Sequence, residues 1–171
     1  MDRYRWAAAF FIFLMMCLGA ELTGSLLTAP AIRSGWFEAL EKPAFNPPAW
    51  VFGPVWTALF FLMAVAAWLV WRQEGEKPVR IPLVAFYIQL VCNVMWSALF
   101  FGSMRPGWAL AEIVILWGLI LITAMLFYRV SRLAGLLFIP YLGWVAFAAV
   151  LNGFIWWMNR EGVVQVTGMQ L

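Results

Sequence analysis

The sequence contains no histidine. That absence excludes histidine acid–base catalysis, a histidine-ligated haem and the common zinc sites. Charge is scarce as well. Asp, Glu, Lys and Arg make up 11% of the chain, against about a quarter in a soluble domain. The basic residues are scattered near the ends of apolar runs, where positive charge marks a membrane interface, so no nucleic-acid partner is expected. The two cysteines, Cys17 and Cys92, both fall inside apolar runs. They argue against a disulfide framework and read as small buried hydrophobes. No internal repeat divides the chain, although secondary transporters are often built on one.

What is present is apolar: 65% of 171 residues are hydrophobic. A water-soluble fold of this size cannot hide so much apolar surface, and lipid removes the problem. Five runs of about 20 residues or more cover about 6–28, 48–71, 81–101, 108–128 and 133–157, each long enough to cross the hydrocarbon. The fold class expected is an all-α membrane protein, a five-helix transmembrane bundle forming one domain over 1–160, with a mobile polar tail over 161–171. Arg3 and Arg5 precede the first run as in a signal peptide, but the run continues through Leu22 to Leu27, too long for a signal core. Trp6, Trp50, Trp71, Trp108 and Trp157 lie near run ends, like an aromatic belt.

The link from Ala29 to Pro48 holds Pro30, Pro43, Pro47 and Pro48, which forbid a long continuous helix. Trp36 to Leu40 can still form one helical turn. Such a link is long for a bundle, and loops of this kind often serve as lids or binding elements. With five spans, Arg3, Arg5, Arg72, Lys77, Arg80, Arg129 and Arg132 collect on the N-terminal side. Arg33, Lys42, Arg105 and Arg160 collect on the other. The imbalance predicts a cytoplasmic N-terminus in a bacterial inner membrane, with the proline-rich link outside over the bundle mouth.

Polar side chains within the runs recur at helical spacing. Gln89, Asn93 and Ser97 share one face, as do Trp144, Ala148 and Asn152, and Glu21, Gly24 and Thr28 lie on one side of the first helix. Asn and Gln act as interhelical glue, and Ala20 and Gly24 permit close packing. For Gln89 and Ser97 glue is the favoured reading; for Asn93 and Trp144 glue and pocket lining both stand open. Glu21 and Glu112 read as interfacial groups or buried ion partners, with a proton relay as the sharper option. Gly118 and Gly143 read as packing contacts. No nucleophile–base pair is available: Ser97 has no histidine, and no lysine is suitably placed. Many indoles with few polar groups suit a large, flat, apolar ligand and suit ordinary hydrolysis poorly.

Four separated stretches carry a family resemblance. They are Trp36 to Trp56 (WFEALEKPAFNPPAWVFGPVW), Gln89 to Gly102 (QLVCNVMWSALFFG), Gly107 to Leu110 (GWAL) and Pro140 to Asn152 (PYLGWVAFAAVLN). In this order, over roughly residues 6 to 159, the chain resembles the tryptophan-rich sensory protein or translocator protein family, whose mammalian members were called the peripheral benzodiazepine receptor. The resemblance implies a five-helix bundle, commonly a homodimer. It implies binding of porphyrins such as protoporphyrin IX and of isoquinoline or benzodiazepine drugs, with no obligatory cofactor and no metal. By motif position the ligand pocket would be lined by Trp50, Phe52, Asn93, Trp108, Trp144, Ala148 and Leu151, with Trp36 and Pro47 contributed by the first loop. Ala148 matches a position where mammalian members carry alanine or threonine, and the small residue should leave room. Members also bind cholesterol, but the sterol motif needs a tyrosine after a Leu–Asn pair. Here Gly153 and Phe154 follow Leu151 and Asn152, which counts against a sterol ligand.

The function expected is therefore a porphyrin-binding receptor or transporter-like membrane protein, with Trp50 and Trp144 stacking on the macrocycle and Asn93 giving one orienting hydrogen bond. The alternative is an enzyme degrading protoporphyrin IX in light through Trp50 and Trp144, as implied by reports on bacterial relatives. A third reading is a membrane scaffold without an obligatory ligand.

Overall fold

The structure, a computed structural model, describes residues 2–160; the tail over 161–171 lies outside the described residues. Every element among the described residues is helical. Helix α1 spans Asp2–Arg33, the single turn α2 spans Trp36–Ala39, and α3 spans Ala49–Trp71. Helix α4 spans Arg80–Ser97 and continues into a π-helical turn over Ala98–Gly102. Helix α5 spans Pro106–Val130, α6 spans Arg132–Leu136 and α7 spans Ile139–Asn159. Five of these stretches are long and apolar enough to cross a membrane: Tyr4–Arg33, Ala49–Trp71, Arg80–Gly102, Pro106–Val130 and Arg132–Asn159.

The first helix is longer than the span read from the sequence. At 1.5 Å per residue it reaches about 48 Å, well beyond a hydrocarbon core of about 30 Å. It runs through Pro30, which costs one backbone hydrogen bond but leaves its carbonyl free to accept from Ser34 N at 2.9 Å. Gly35, at φ 74°, then turns the chain into α2, as glycine does after many helix ends. The fifth apolar run is not one helix. It breaks at Leu137–Phe138, because Pro140 belongs in the first turn of a new helix, where its missing N–H costs nothing. Ser131 opens α6 by accepting from Ala134 N.

Packing divides the bundle. Helix α1 lies against α3 and α4, whereas α5 lies against α4, α6 and α7. The centre is built on Phe86, which stacks on Phe127 at 6.0 Å, and on Phe127 edge-on to Phe138 at 5.2 Å. Close approaches fall at particular glycines. A Cβ on Gly24 would sit 3.3 Å from the Ser97 hydroxyl, so α1 and α4 nearly touch there. A Cβ on Gly135 would sit 2.5 Å from Tyr128 Cβ, so only glycine lets α6 fold back on α5. Gly118 and Gly143, read from the sequence as packing contacts, have nothing within 4 Å of a Cβ built on either; both face open space.

Cations and indoles fasten the end of the bundle that carries the N-terminus. The Arg72 guanidinium lies 4.5 Å from the Trp6 ring centre and 4.7 Å from that of Trp68. Trp68 Nε1 donates to the Trp6 carbonyl at 2.9 Å, and Arg5 approaches Glu74 at 3.8 Å. Exposed pairs of this kind contribute little each, but indoles and guanidinium stems suit the lipid–water boundary.

Candidate functional site: an aromatic cavity under the first loop

Four spans and the loop enclose a cavity of about 500 Å³. Its walls follow helical stripes. Helix α3 presents Ala49, Phe52, Gly53, Trp56 and Phe60, spaced by three and four residues along one face. Helix α1 presents Glu21, Gly24, Ser25, Thr28 and Arg33. Helix α4 and its π turn supply Asn93, Trp96, Ser97 and Phe101; α7 supplies Trp144 and Ala148; the loop supplies Phe37. No residue of α5 lines the cavity, because α5 packs on the far side of α4 and α7.

The aromatic wall is braced by ring contacts. Phe52 meets Trp144 edge-on at 5.8 Å, and Trp56 leans on Phe60 at 5.8 Å. Trp96 stacks on Phe100 at 5.3 Å and meets Phe101 edge-on at 6.0 Å. The loop is seated on the π turn, with Trp36 edge-on to Phe100 at 5.9 Å and Phe37 tilted on Phe101 at 5.5 Å. The Lys42 ammonium sits 4.8 Å from the Phe37 ring centre and donates to the Glu38 and Leu40 carbonyls. The cap is thus an aromatic plug with its own internal tie.

Behind the wall, buried polar groups satisfy one another. Asn93 Nδ2 donates to the Tyr141 hydroxyl at 2.8 Å, and that hydroxyl donates to Gln89 Oε1 at 3.1 Å. The Gln89–Asn93 stripe therefore joins α4 to α7, the glue role, while Asn93 also touches the cavity. Asn152 accepts from Trp96 Nε1 at 3.1 Å and donates to the Pro106 carbonyl at 2.8 Å, so one amide holds the Trp96 ring in place and binds α4, α5 and α7 together. On the other wall Thr57 donates to Glu21 Oε1 at 2.5 Å. Trp144 Nε1 is buried without a hydrogen-bond partner among the described residues, and so are both carboxyl oxygens of Glu112.

Of the residues expected from motif position, Phe52, Asn93, Trp144 and Ala148 stand together on the cavity wall. The other five do not. Trp50 is 74% exposed, because it lies two residues before Phe52 and so nearly opposite it on the helix. Trp108 is 66% exposed on α5, which borders no part of the cavity. Leu151 is buried against Phe100, Ala109 and Ile155, in a separate cluster below the cap. Trp36 packs into that cluster, and Pro47, just before α3, is not among the wall residues.

Sequence reasoning passed over Trp56, Trp96 and the α1 stripe as wall residues. The spacing of Phe52, Trp56 and Phe60 would have found the first. The sequence spacing puts Glu21, Gly24 and Thr28 on one side of α1, but nothing in it says which helix that side faces.

The TspO/MBR family model matches residues 11–158. The chain belongs to the TspO/MBR family. It is 44% identical to the tryptophan-rich protein TspO of Chlorobaculum tepidum, over 84% of this chain and 91% of that one. Against the translocator protein of Homo sapiens the identity is 37%, over 91% and 92% of the two chains. Against the tryptophan-rich sensory protein of Cereibacter sphaeroides it is 40%, over 85% and 87%. Membership in the TspO/MBR family and five apolar helices together make this an integral, multi-pass membrane protein.

Proposed function

We propose that the protein binds a porphyrin, with protoporphyrin IX as the type ligand, in the cavity under the first loop, and that it works as a receptor or carrier of such flat apolar molecules. The observation that carries this reading is the wall itself. About 500 Å³ is enclosed by Phe52, Trp56, Trp96, Phe101 and Trp144 with few polar groups among them, the make-up of a site for a flat apolar ligand with a few orienting contacts. The orphaned N–H of Trp144 supports it further, since a buried donor is satisfied when a ligand brings an acceptor. Isoquinoline and benzodiazepine drugs fit the same description.

The test is titration of the purified protein in detergent with protoporphyrin IX, read by tryptophan quenching and by thermal stability. A ligand that binds only the folded state raises the melting temperature. A flat melting curve at saturating porphyrin would remove the proposal and leave the scaffold reading. Light-dependent breakdown of the same ligand would draw on Trp144 and Trp56 rather than Trp50, since Trp50 lies outside the cavity. Illumination that yields an altered tetrapyrrole, lost in Trp56→Phe, separates turnover from binding. The same proposal includes a homodimer in a bacterial cell membrane, with the N-terminus in the cytoplasm on the strength of the arginine imbalance.

A further inference from the structure

The cavity is not uniform from end to end. Two of its wall residues are charged types, Arg33 and Glu21, both on α1. They are twelve residues apart, about 18 Å along a helix. Arg33 ends α1 at the mouth, beside the loop; Glu21 lies toward the other end, with Thr57 donating to one of its oxygens. Among the described residues Arg33 has no carboxylate within ion-pair distance, although Glu38 and Glu41 follow closely in the chain; the one ion pair is Arg5–Glu74. An unneutralised guanidinium thus borders the aromatic-walled chamber at its loop end.

We propose that Arg33 recognises a carboxylate on the ligand, so that the cavity selects amphipathic acids and holds them with the acid end at the loop and the apolar body inside. This inference rests on the porphyrin reading above and narrows it to one orientation and one chemical class. Guanidinium and carboxylate match as a two-pronged pair, and a charge-assisted bond of this kind is stronger than a neutral one. The opposite orientation is poor. It would bring an acid to the acceptor oxygens of Glu21, whereas a ring N–H suits that end.

The experiment compares protoporphyrin IX with its dimethyl ester, which keeps the ring and removes both charges. Binding is measured in micelles of an uncharged detergent to the parent, Arg33→Gln and Arg33→Lys. The parent is expected to bind the diacid about tenfold more tightly than the ester, the scale of a hydrogen bond to a charged group. Arg33→Gln should bring the diacid down to the affinity of the ester, and ester binding that persists in this variant certifies a folded cavity. Arg33→Lys should restore part of the preference.

Equal affinity of the parent for diacid and ester would overturn the inference while leaving the porphyrin reading intact. So would Arg33→Gln weakening both ligands alike. An anionic phospholipid that erases the preference in the parent would reassign Arg33 to a lipid head group, and that too overturns it. Binding of neither compound would remove the porphyrin reading and this inference together.

Discussion

Asn159, the last residue of α7, grips the backbone of Glu41 from both sides: Glu41 N donates to Asn159 Oδ1 at 3.0 Å, and Asn159 Nδ2 donates to the Glu41 carbonyl at 2.9 Å. The two residues are 118 positions apart in sequence. This pair of bonds fastens the stretch between α2 and α3 to the end of α7, a second attachment beside the seat of Trp36 and Phe37 on the π turn. Its removal should therefore open the cap without disturbing the wall. Each bond is worth about 1 kcal/mol net, so Asn159→Ala is expected to speed release of bound protoporphyrin IX roughly tenfold. Stopped-flow displacement reads this directly, and unchanged release would mean that the loop is held by its aromatic seat alone.

Trp144 and Trp50 should behave in opposite ways. Trp144 borders the cavity, and Trp50 faces out of it. Losing a buried aromatic removes about 150–250 Å² of contact surface, so Trp144→Ala should weaken porphyrin binding at least tenfold, while Trp50→Ala leaves it unchanged. Trp144→Phe keeps an aromatic ring, smaller than indole, and removes the N–H, so its intermediate loss would set an upper limit on what the orphaned donor contributes. Equal losses in Trp50→Ala and Trp144→Ala would place the ligand elsewhere.

Two glycines offer a contrast in stability. Gly135→Ala would press its Cβ to 2.5 Å from Tyr128 Cβ and 2.7 Å from the Tyr128 Cα, where the chain cannot yield by a rotamer change. A cost at or above the usual 1–3 kcal/mol of overpacking, about 3 kcal/mol, is expected, with a clear fall in melting temperature in detergent. Gly118→Ala adds a methyl to open space in α5 and should gain up to about 1 kcal/mol from helix propensity.

Glu112 is 6% exposed, and neither of its carboxyl oxygens has a partner among the described residues. A buried polar group without partners destabilises a fold by about 1–3 kcal/mol. Glu112→Met, similar in length and apolar, should therefore raise the melting temperature. A fall instead would reveal a bond that Glu112 makes to lipid, water or a second chain.

Asn152 is the opposite case, because its amide is fully used between Trp96 and Pro106. Asn152→Leu leaves the indole N–H of Trp96 without its acceptor and removes the tie from α7 to the Pro106 carbonyl at the start of α5. The expected loss is about 1 kcal/mol, two bonds at the average of about 0.6 kcal/mol each found inside membranes. A shift in Trp96 emission should accompany it, since that ring is no longer pinned.

The five spans were legible because long apolar runs have no other stable place than lipid. The stripe of Gln89 and Asn93 was legible because spacing by four places residues on one face, and the structure spends that face on Tyr141. Other features were not legible for physical reasons. An indole serves equally well in an interfacial belt and in a cavity wall, so Trp50 and Trp108 could not be told from Trp56 and Trp96 by residue type. Helix α1 offered a one-sided stripe, but the side that meets α3 and α4 depends on packing across the whole bundle. The break between α6 and α7 lay hidden inside one continuous apolar run, marked only by Pro140.

The π turn over Ala98–Gly102 is a matter of counting. One extra residue in the turn lets neighbouring phenylalanines look in two directions, Phe100 toward Trp36 and Phe101 into the chamber. Deleting a single residue there would tighten the coil and swing one of the rings aside. The lid would lose its seat even with every side chain chemically intact. Chain length at this one point, more than composition, decides whether the vessel can be closed.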